Sequence, residues 1–528
     1  MKTNGGVVDE APLLRVWPTV VHMLADAARL RPEAEALVCG DERLCYREVV
    51  ACVAGFALEL QAAGIGAGAR VALVMGNSVD IAIGTFAVQA AGAQVVPLNP
   101  AYTASELAPM LADADAALAV CDAAVVQTLD TAVGAEPALV ALRRIVIGDR
   151  PGMRRLTAWR DRPELADRLP LPDPQQLSTL QYTGGTTGRS KGVDMTHAAV
   201  AVNVSQREAL VSTRADDERV LVVTPLFHVY AVAMGLYLAA HARGTLVVLA
   251  RFQAEAVLET IARERITLLA ASPTVLVGLL ASEAFARADL SSLRLVTSGA
   301  AALPEATLGR WEVATGCPIV EGYGQSEAGP VLAYNPRHGV RKAGTVGLPL
   351  PRTEIEIVDL ATGRVAQPVG VEGEIRARGP QLMRGYRQRP EATAEALRDG
   401  WLHTGDIGAF DADGHLRICG RKKEMAIVAG FNVYPREVEE ALCAHPQVRE
   451  AAVVGVPDAY RGEALVATVV AAPGAAVDGE ALLAWLAGRL VRYKVPQSIR
   501  VVEALPKTGV GKVDKAALRA QAMATQRP

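Results

Sequence analysis

The run Thr183-Gly184-Gly185-Thr186-Thr187-Gly188-Arg189-Ser190-Lys191-Gly192 concentrates groups suited to binding phosphate. Its glycines let the backbone turn and approach a ligand without side-chain interference, while the hydroxyls, Arg189 and Lys191 supply donors for phosphate oxygens. The spacing departs from the loop of nucleotide hydrolases, where the last glycine is followed by Lys and then Ser or Thr; here Arg189 follows Gly188. A different nucleotide chemistry is implied.

Such a loop must be held by regular elements, and the chain alternates short apolar runs with longer helical patterns. The runs include Val71 to Val74, Val95 to Leu98, Ala117 to Val120, Val220 to Val223, Leu246 to Leu249 and Leu293 to Val296. This alternation predicts a parallel sheet covered by helices. Tyr182 leads into the phosphate loop, Val223 into Thr224-Pro225, Val296 into Ser298-Gly299-Ala300, and Val320 into Glu321-Gly322-Tyr323-Gly324. Ligands of open α/β sheets bind beyond the carboxyl ends of strands, so these turns are expected to share one crevice. Near residue 420 the texture changes. A compact α+β pattern follows, with helices at Pro435 to Ala444 and near Gly479 to Val491, and strands at Glu450 to Val456, Ala464 to Ala471 and around Ser498 to Glu503.

Composition bounds the function. The 528 residues with 51% apolar content suffice for a large core and at least two domains. The 54 basic and 57 acidic residues leave a net charge of −3, so neither a global field for nucleic acid nor a polybasic stretch for anionic lipid is expected. The seven cysteines (39, 45, 52, 121, 317, 419 and 443) are scattered and never spaced Cys-x-x-Cys, which points to no disulfide framework or zinc site and fits a reducing cytoplasm. Asp9 and Glu10 near the start argue against a secretory signal. The nearly uncharged stretch Val220 to Ala240 reads as a buried strand and helix and not as a membrane span, because Pro225 and His228 interrupt it.

From about residue 20 to Lys515 the chain resembles the acyl-adenylate-forming enzymes, the superfamily of acyl-CoA synthetases, amino-acid adenylation domains and firefly luciferase. Besides the phosphate loop, five segments in the family's order carry the resemblance. They are Thr224-Pro225-Leu226-Phe227-His228; Glu321-Gly322-Tyr323-Gly324-Gln325-Ser326-Glu327, in which Ser326 keeps the hydroxyl of the usual Thr; Gly400-Trp401-Leu402-His403-Thr404-Gly405-Asp406; Gly420-Arg421-Lys422-Lys423; and Leu505-Pro506-Lys507-Thr508-Gly509-Val510-Gly511-Lys512. The resemblance implies an α/β fold with a large N-terminal domain of parallel-rich sheets layered with helices, residues 1–419. A small mobile α+β C-terminal domain, residues 420–528, would turn about a hinge near Lys423.

The implied chemistry is activation of a carboxylate by ATP with Mg²⁺, followed by transfer to coenzyme A. Attack of a carboxylate on the α-phosphorus brings two anions together, so charge must be neutralised in the transition state. Lys512 is the residue expected to do so. Glu327 offers a hard oxygen to Mg²⁺, and Asp406 can accept both ribose hydroxyls. Thr183, Gly184, Gly185, Thr186, Thr187, Gly188 and Lys191 would cradle the pyrophosphate end of ATP, with Thr187 and Ser326 bonding phosphate oxygens. Tyr323 would flank adenine against a wall of Ser298, Gly299, Ala300 and Gly322, inside the element from Glu321 to Gly324, and Arg421 would reach ribose or phosphate. His228 reads equally as a satisfied core histidine or as pocket wall near the chemistry. His197 is expected to start a helix behind Thr196, without a chemical role.

An amino-acid substrate is disfavoured, since relatives that activate amino acids carry Asp after the Phe where His228 follows Phe227. Too little chain follows Lys512 for a carrier domain, so a free thiol such as coenzyme A is the expected acceptor, faced by the loop at Gly430 and Phe431. By resemblance the acyl pocket holds His228, Tyr230, Ala231, Met234, Ala300, Ala301 and Gly324, with no cation for a second carboxylate. A hydrophobic monocarboxylate follows, either a medium- or long-chain fatty acid or an aryl acid of the 4-coumarate type. A luciferase-like adenylating oxidase and a non-catalytic nucleotide binder share the same motifs. Asp194 stands where relatives carry an apolar or small residue, and sequence offers no account of it. The oligomeric state is open, a homodimer among the options.

Overall fold

The computed structural model describes residues 15–183, 190–458, 460–509 and 511–525, and among these residues the strands form four sheets. The largest has nine strands. Its centre is parallel, in the order Ile319–Tyr323, Leu295–Ser298, Leu268–Ala271, Arg219–Val222, Thr245–Val248 and Glu35–Cys39, with antiparallel strands at both edges. A second, seven-stranded sheet places Leu177–Thr183, Gln94–Leu98, Arg70–Val74, Leu118–Asp122 and Arg143–Ile147 in parallel and adds the antiparallel strands Lys191–Thr196 and Gly385–Tyr386. Strands buried on both faces need no polar alternation, which is why the expected runs were continuously apolar.

Helices fill the space between these sheets. Val79–Ala90 is buried at every residue and packs on Glu35–Cys39 of one sheet and on Arg70–Val74 and Gln94–Leu98 of the other. Its start is set by Ser78, whose side chain accepts from the Ile81 amide. The buried Asp80 in its first turn is satisfied by Arg155 Nε and the Leu156 amide, each at 2.6 Å. A third sheet, antiparallel, carries Trp401–Phe410 and Leu416–Arg421.

From Ala426 onward the strands form a sheet of their own: Phe431–Val433, Ala426–Val428, Gly462–Ala471, Val448–Asp458 and Ser498–Val502, backed by the helices Pro435–Cys443 and Gly479–Ala487. The α+β pattern predicted for this stretch is present. Several boundaries differ by one to four residues, the strand expected at Glu450 to Val456 running over Val448–Asp458 among them. The run expected at Leu293 to Val296 is a strand over Leu295–Ser298, and the helix expected near Gly479 to Val491 ends at Ala487, capped by Gly488.

The apolar stretch Val220 to Ala240 is the strand Arg219–Val222 followed by a helix broken into Val229–Ala231, a wider-wound turn Val232–Tyr237 and Leu238–Ala242, almost wholly buried. Among the described residues no helix is long and apolar enough to cross a membrane.

Candidate active site

The crevice lies where strands of the two parallel sheets end. Asn77 bridges the sheets, its amide donating to the carbonyls of Thr224 (3.1 Å) and Leu249 (3.0 Å) and its oxygen accepting from the Leu226 amide (2.7 Å). Thr183 and Lys191, the described residues on either side of the segment expected to bind phosphate, face each other across an antiparallel pair. Gly184, Gly185, Thr186, Thr187 and Gly188, expected to cradle phosphate, lie outside the described residues. At the end of Leu295–Ser298 the chain passes through Gly299 into Ala300, whose φ of +68° is a left-handed conformation rare for a residue with a side chain. Ser298 Oγ and Thr224 Oγ1, both at or just beyond strand ends, are buried and have no hydrogen-bond partner among the described residues. Such orphaned groups suit a ligand that supplies the missing partner.

The structure brings together residues far apart in sequence. Asp406 and Arg421 are register partners on neighbouring strands, and Arg421 Nε lies 3.2 Å from Asp406 Oδ1. The other Asp406 oxygen accepts the Tyr323 hydroxyl at 2.7 Å. Burial pushes the Asp406 carboxyl up from its ordinary range, with Arg421 opposing it. Glu327 sits in the one-turn helix Ser326–Ala328 and accepts the Tyr386 hydroxyl at 2.8 Å.

Lys512 completes this group. A bridge between Lys507 and Val513, with the Thr508 amide donating to the Lys512 carbonyl at 2.7 Å, forms the turn that presents it. Gly511 takes φ +79° in that turn. Burial lowers the Lys512 ammonium pKa, and Arg421 adds to that, while Asp406 and Glu327 oppose it. His228 is its neighbour. Burial, with Lys512 nearby, holds the imidazole down to about 3, so the ring is neutral. His228 also caps the following turn, its Nδ1 accepting from the Tyr230 amide at 3.3 Å.

A model of the AMP-binding enzyme family matches residues 24–387, and one of the AMP-binding enzyme C-terminal domain matches residues 437–512. The chain belongs to the AMP-binding enzymes. It is 36% identical to the long-chain-fatty-acid–CoA ligase of Bacillus subtilis (strain 168), covering 94% of this chain and 93% of that one. It is 39% identical to the feruloyl-CoA synthase of an Amycolatopsis species, covering 93% and 96%. Among solved structures, ATP-bound MatB from Rhodopseudomonas palustris superposes with a TM-score of 0.87 at 31% identity, over 97% of this chain and all of that one (100%).

In this AMP-binding enzyme the remaining expected residues divide. Gly299 and Gly322 form a thin wall. A Cβ at Gly299 would meet the Tyr230 ring at 2.7 Å and one at Gly322 the Tyr334 ring at 2.5 Å, so both rings pack flush behind the strand ends. The Tyr230 hydroxyl donates to the Thr297 carbonyl at 2.9 Å. Met234 and Ala231 are buried beside them, while Ala301 is exposed. Gly324 is also exposed, but a Cβ there would run into the Pro330 carbonyl. Glu321 points away from solvent, accepting from the Leu303 amide at 3.0 Å, and burial pushes its carboxyl up to about 7. Gly430 and Phe431 stand exposed at the turn of a hairpin, where Phe431 stacks on Tyr493 at 4.4 Å.

His197 begins the helix His197–Leu210 behind Thr196, as expected, with its ring buried and its pKa down to about 4. Asp194 receives an account from the structure: its Oδ1 accepts the Gln94 side-chain amide at 2.7 Å across the sheet. Three further residues of the site went unnoticed in sequence: Tyr334, Tyr386 and Arg436, which lies near Glu321. Tyr386 and Arg436 meet partners dozens of residues away and Tyr334 packs against Gly322 across a strand pair, and no local pattern marks them.

Proposed function

We propose that this AMP-binding enzyme is a carboxylate–CoA ligase. It joins a hydrophobic monocarboxylic acid, of the medium- or long-chain fatty class, to AMP with release of pyrophosphate, and then passes the acyl group to coenzyme A. The observation that carries this reading is the position of Lys512 beside Asp406, Arg421, Glu327 and a neutral His228. A cation placed there opposes the charge that builds at an α-phosphate, while Asp406 and Arg421 are suited to ribose. Among the described residues no group of three or more His, Cys, Asp or Glu is arranged to hold a metal. A lone carboxylate fits Mg²⁺, which keeps waters and takes its other ligands from phosphate. Glu327 would hold it, and Mg²⁺ would there reduce the repulsion between phosphates and carboxylate.

Residues 1–419 and 420–528 act in this reading as two bodies joined near Lys423. Support comes from the separate sheet after Ala426 and from the contrast between Lys512, docked in the crevice, and Gly430 and Phe431, which are exposed. The two groups serve different half-reactions, and reorientation of the smaller body would present each in turn. A cytoplasmic setting agrees with cysteines that are all free among the described residues.

An aryl or cinnamate-type acid is the second reading. The feruloyl-CoA synthase relative and the two tyrosine rings behind Gly299 and Gly322 favour it. Pyrophosphate release measured across fatty, aryl and dicarboxylic acids with ATP, Mg²⁺ and coenzyme A tests both. Turnover with fatty acids supports the first reading and turnover with aryl acids alone the second. Oxygen uptake with acyl-adenylate would indicate an oxidase, and no release with any acid would refute ligase activity.

A further inference from the structure

The segment 383–387 ties the two halves of the crevice together. Its backbone amides reach both sides: Met383 donates to the Glu327 carbonyl (2.9 Å), Arg384 to the Asp194 carbonyl (2.9 Å) and Arg387 to the Gly192 carbonyl (2.8 Å). Glu327 follows the last parallel strand of the nine-stranded sheet, whereas Gly192 and Asp194 lie on the strand that leaves the phosphate loop. Within the segment, Gly385 and Tyr386 pair with Asp194 and Val193.

One side chain of this segment spans the same gap. The Tyr386 hydroxyl donates to Glu327 Oε1 at 2.8 Å, and Lys191 Nζ lies 4.9 Å from the centre of the tyrosine ring. The ring thus stands between the carboxylate and the cation at the loop exit. Its backbone is pinned in turn, the Tyr386 amide donating to Thr393 Oγ1 at 2.9 Å. A Cβ at Gly385 would meet Thr393 at 2.9 Å, so a side chain there would push the threonine from its place. Glu327 is 9% exposed, and among the described residues the Tyr386 hydroxyl is the side-chain donor that holds its carboxylate.

A carboxylate rotates freely about its last bond unless a donor holds one oxygen. With Tyr386 on Oε1, the other oxygen and the remaining lone pair of the first keep a single direction. We propose that Tyr386 is a positioning residue that sets the orientation in which Glu327 meets the divalent cation. This rests on the reading of Glu327 as the carboxylate that binds Mg²⁺ together with the nucleotide phosphates.

Tyr386→Phe keeps the ring under Lys191 and removes only the hydroxyl. The Mg²⁺ concentration giving half-maximal pyrophosphate release is expected to rise about tenfold, the scale of one hydrogen bond to a charged group. The KM for the acid stays within roughly twofold, because the acyl pocket is untouched. A readout independent of turnover accompanies this: Mn²⁺ binding in the presence of a non-hydrolysable ATP analogue, followed by electron paramagnetic resonance, weakens by a similar factor, while binding of the analogue in EDTA is unchanged. A tyrosine that is only a strut would lower the melting temperature and kcat with the Mg²⁺ requirement unaltered, and that result overturns the proposal. Glu327→Gln, measured in parallel, separates the two levels. If it too leaves the Mg²⁺ requirement unaltered, the reading of Glu327 fails and takes the proposal with it. If Glu327→Gln raises the requirement and Tyr386→Phe does not, the role of Tyr386 alone is refuted.

Discussion

Replacing Glu321 with glutamine isolates one buried charge. The carboxyl is 4% exposed and accepts from the Leu303 amide at 3.0 Å, an acceptor role the glutamine oxygen can keep. Burial is the main cause that raises its pKa from 4.5 to about 7, with Arg436 and the Leu303 amide opposing. Because the folded-state value lies above the unfolded one, the folded protein holds this proton where the unfolded chain has lost it. The protonated carboxyl contributes its stability fully below pH 4.5, and that contribution is lost as pH rises through about 7. Integrated from pH 5 to pH 8, the loss is about 2.5 kcal/mol, an order-of-magnitude figure. An unfolding entropy of about 2 cal/mol/K per residue over roughly 400 residues converts this to about 3 °C. Glutamine has no such slope. Melting temperatures of both proteins are therefore measured at pH 5 and pH 8, and the difference, variant minus wild type, is expected to be about 3 °C more positive at pH 8. A difference that stays constant, or moves the other way, would show that Glu321 is ionised in the folded protein throughout this range and that the burial argument is wrong.

Lys512→Ala is expected to abolish adenylate formation, read by pyrophosphate exchange, while largely sparing thioester formation from supplied acyl-adenylate; equal loss of both would remove Lys512 from the first step. Lys423→Pro fixes φ and removes a backbone donor at the proposed joint, so thioester formation should fall at least about tenfold with exchange retained. Retention of both would place the joint elsewhere. Ala301→Trp should shorten the longest acid accepted with ATP binding intact, and an unchanged chain-length profile would take Ala301 out of the pocket. Gly324→Leu, by contrast, meets the Pro330 backbone and should instead lower the melting temperature.

Much of the fold was legible because burial leaves a strong local mark. Strands covered on both faces read as unbroken apolar runs, and Val71 to Val74, Val95 to Leu98 and Leu246 to Leu249 fall within a residue of the strands Arg70–Val74, Gln94–Leu98 and Thr245–Val248. Ends of elements were less legible. The helix from Gly479 stops at Ala487, where Gly488 and Arg489 interrupt the apolar pattern before Leu490 and Val491.

The residue types able to do this chemistry, and their order, are properties of the chain alone. Glycines beside hydroxyls and a lysine suit phosphate, and Glu327, Asp406 and Lys512 carry charges that ATP chemistry can use wherever they fold. What those charges face is decided only when the sheets meet. Asp194 finds Gln94, Glu327 finds Tyr386, and Glu321 loses its water beneath Leu303 through contacts between distant strands. Desolvation and hydrogen-bond direction arise from long-range packing, and they set which carboxyl keeps its proton, which oxygen is held and where Lys512 comes to rest.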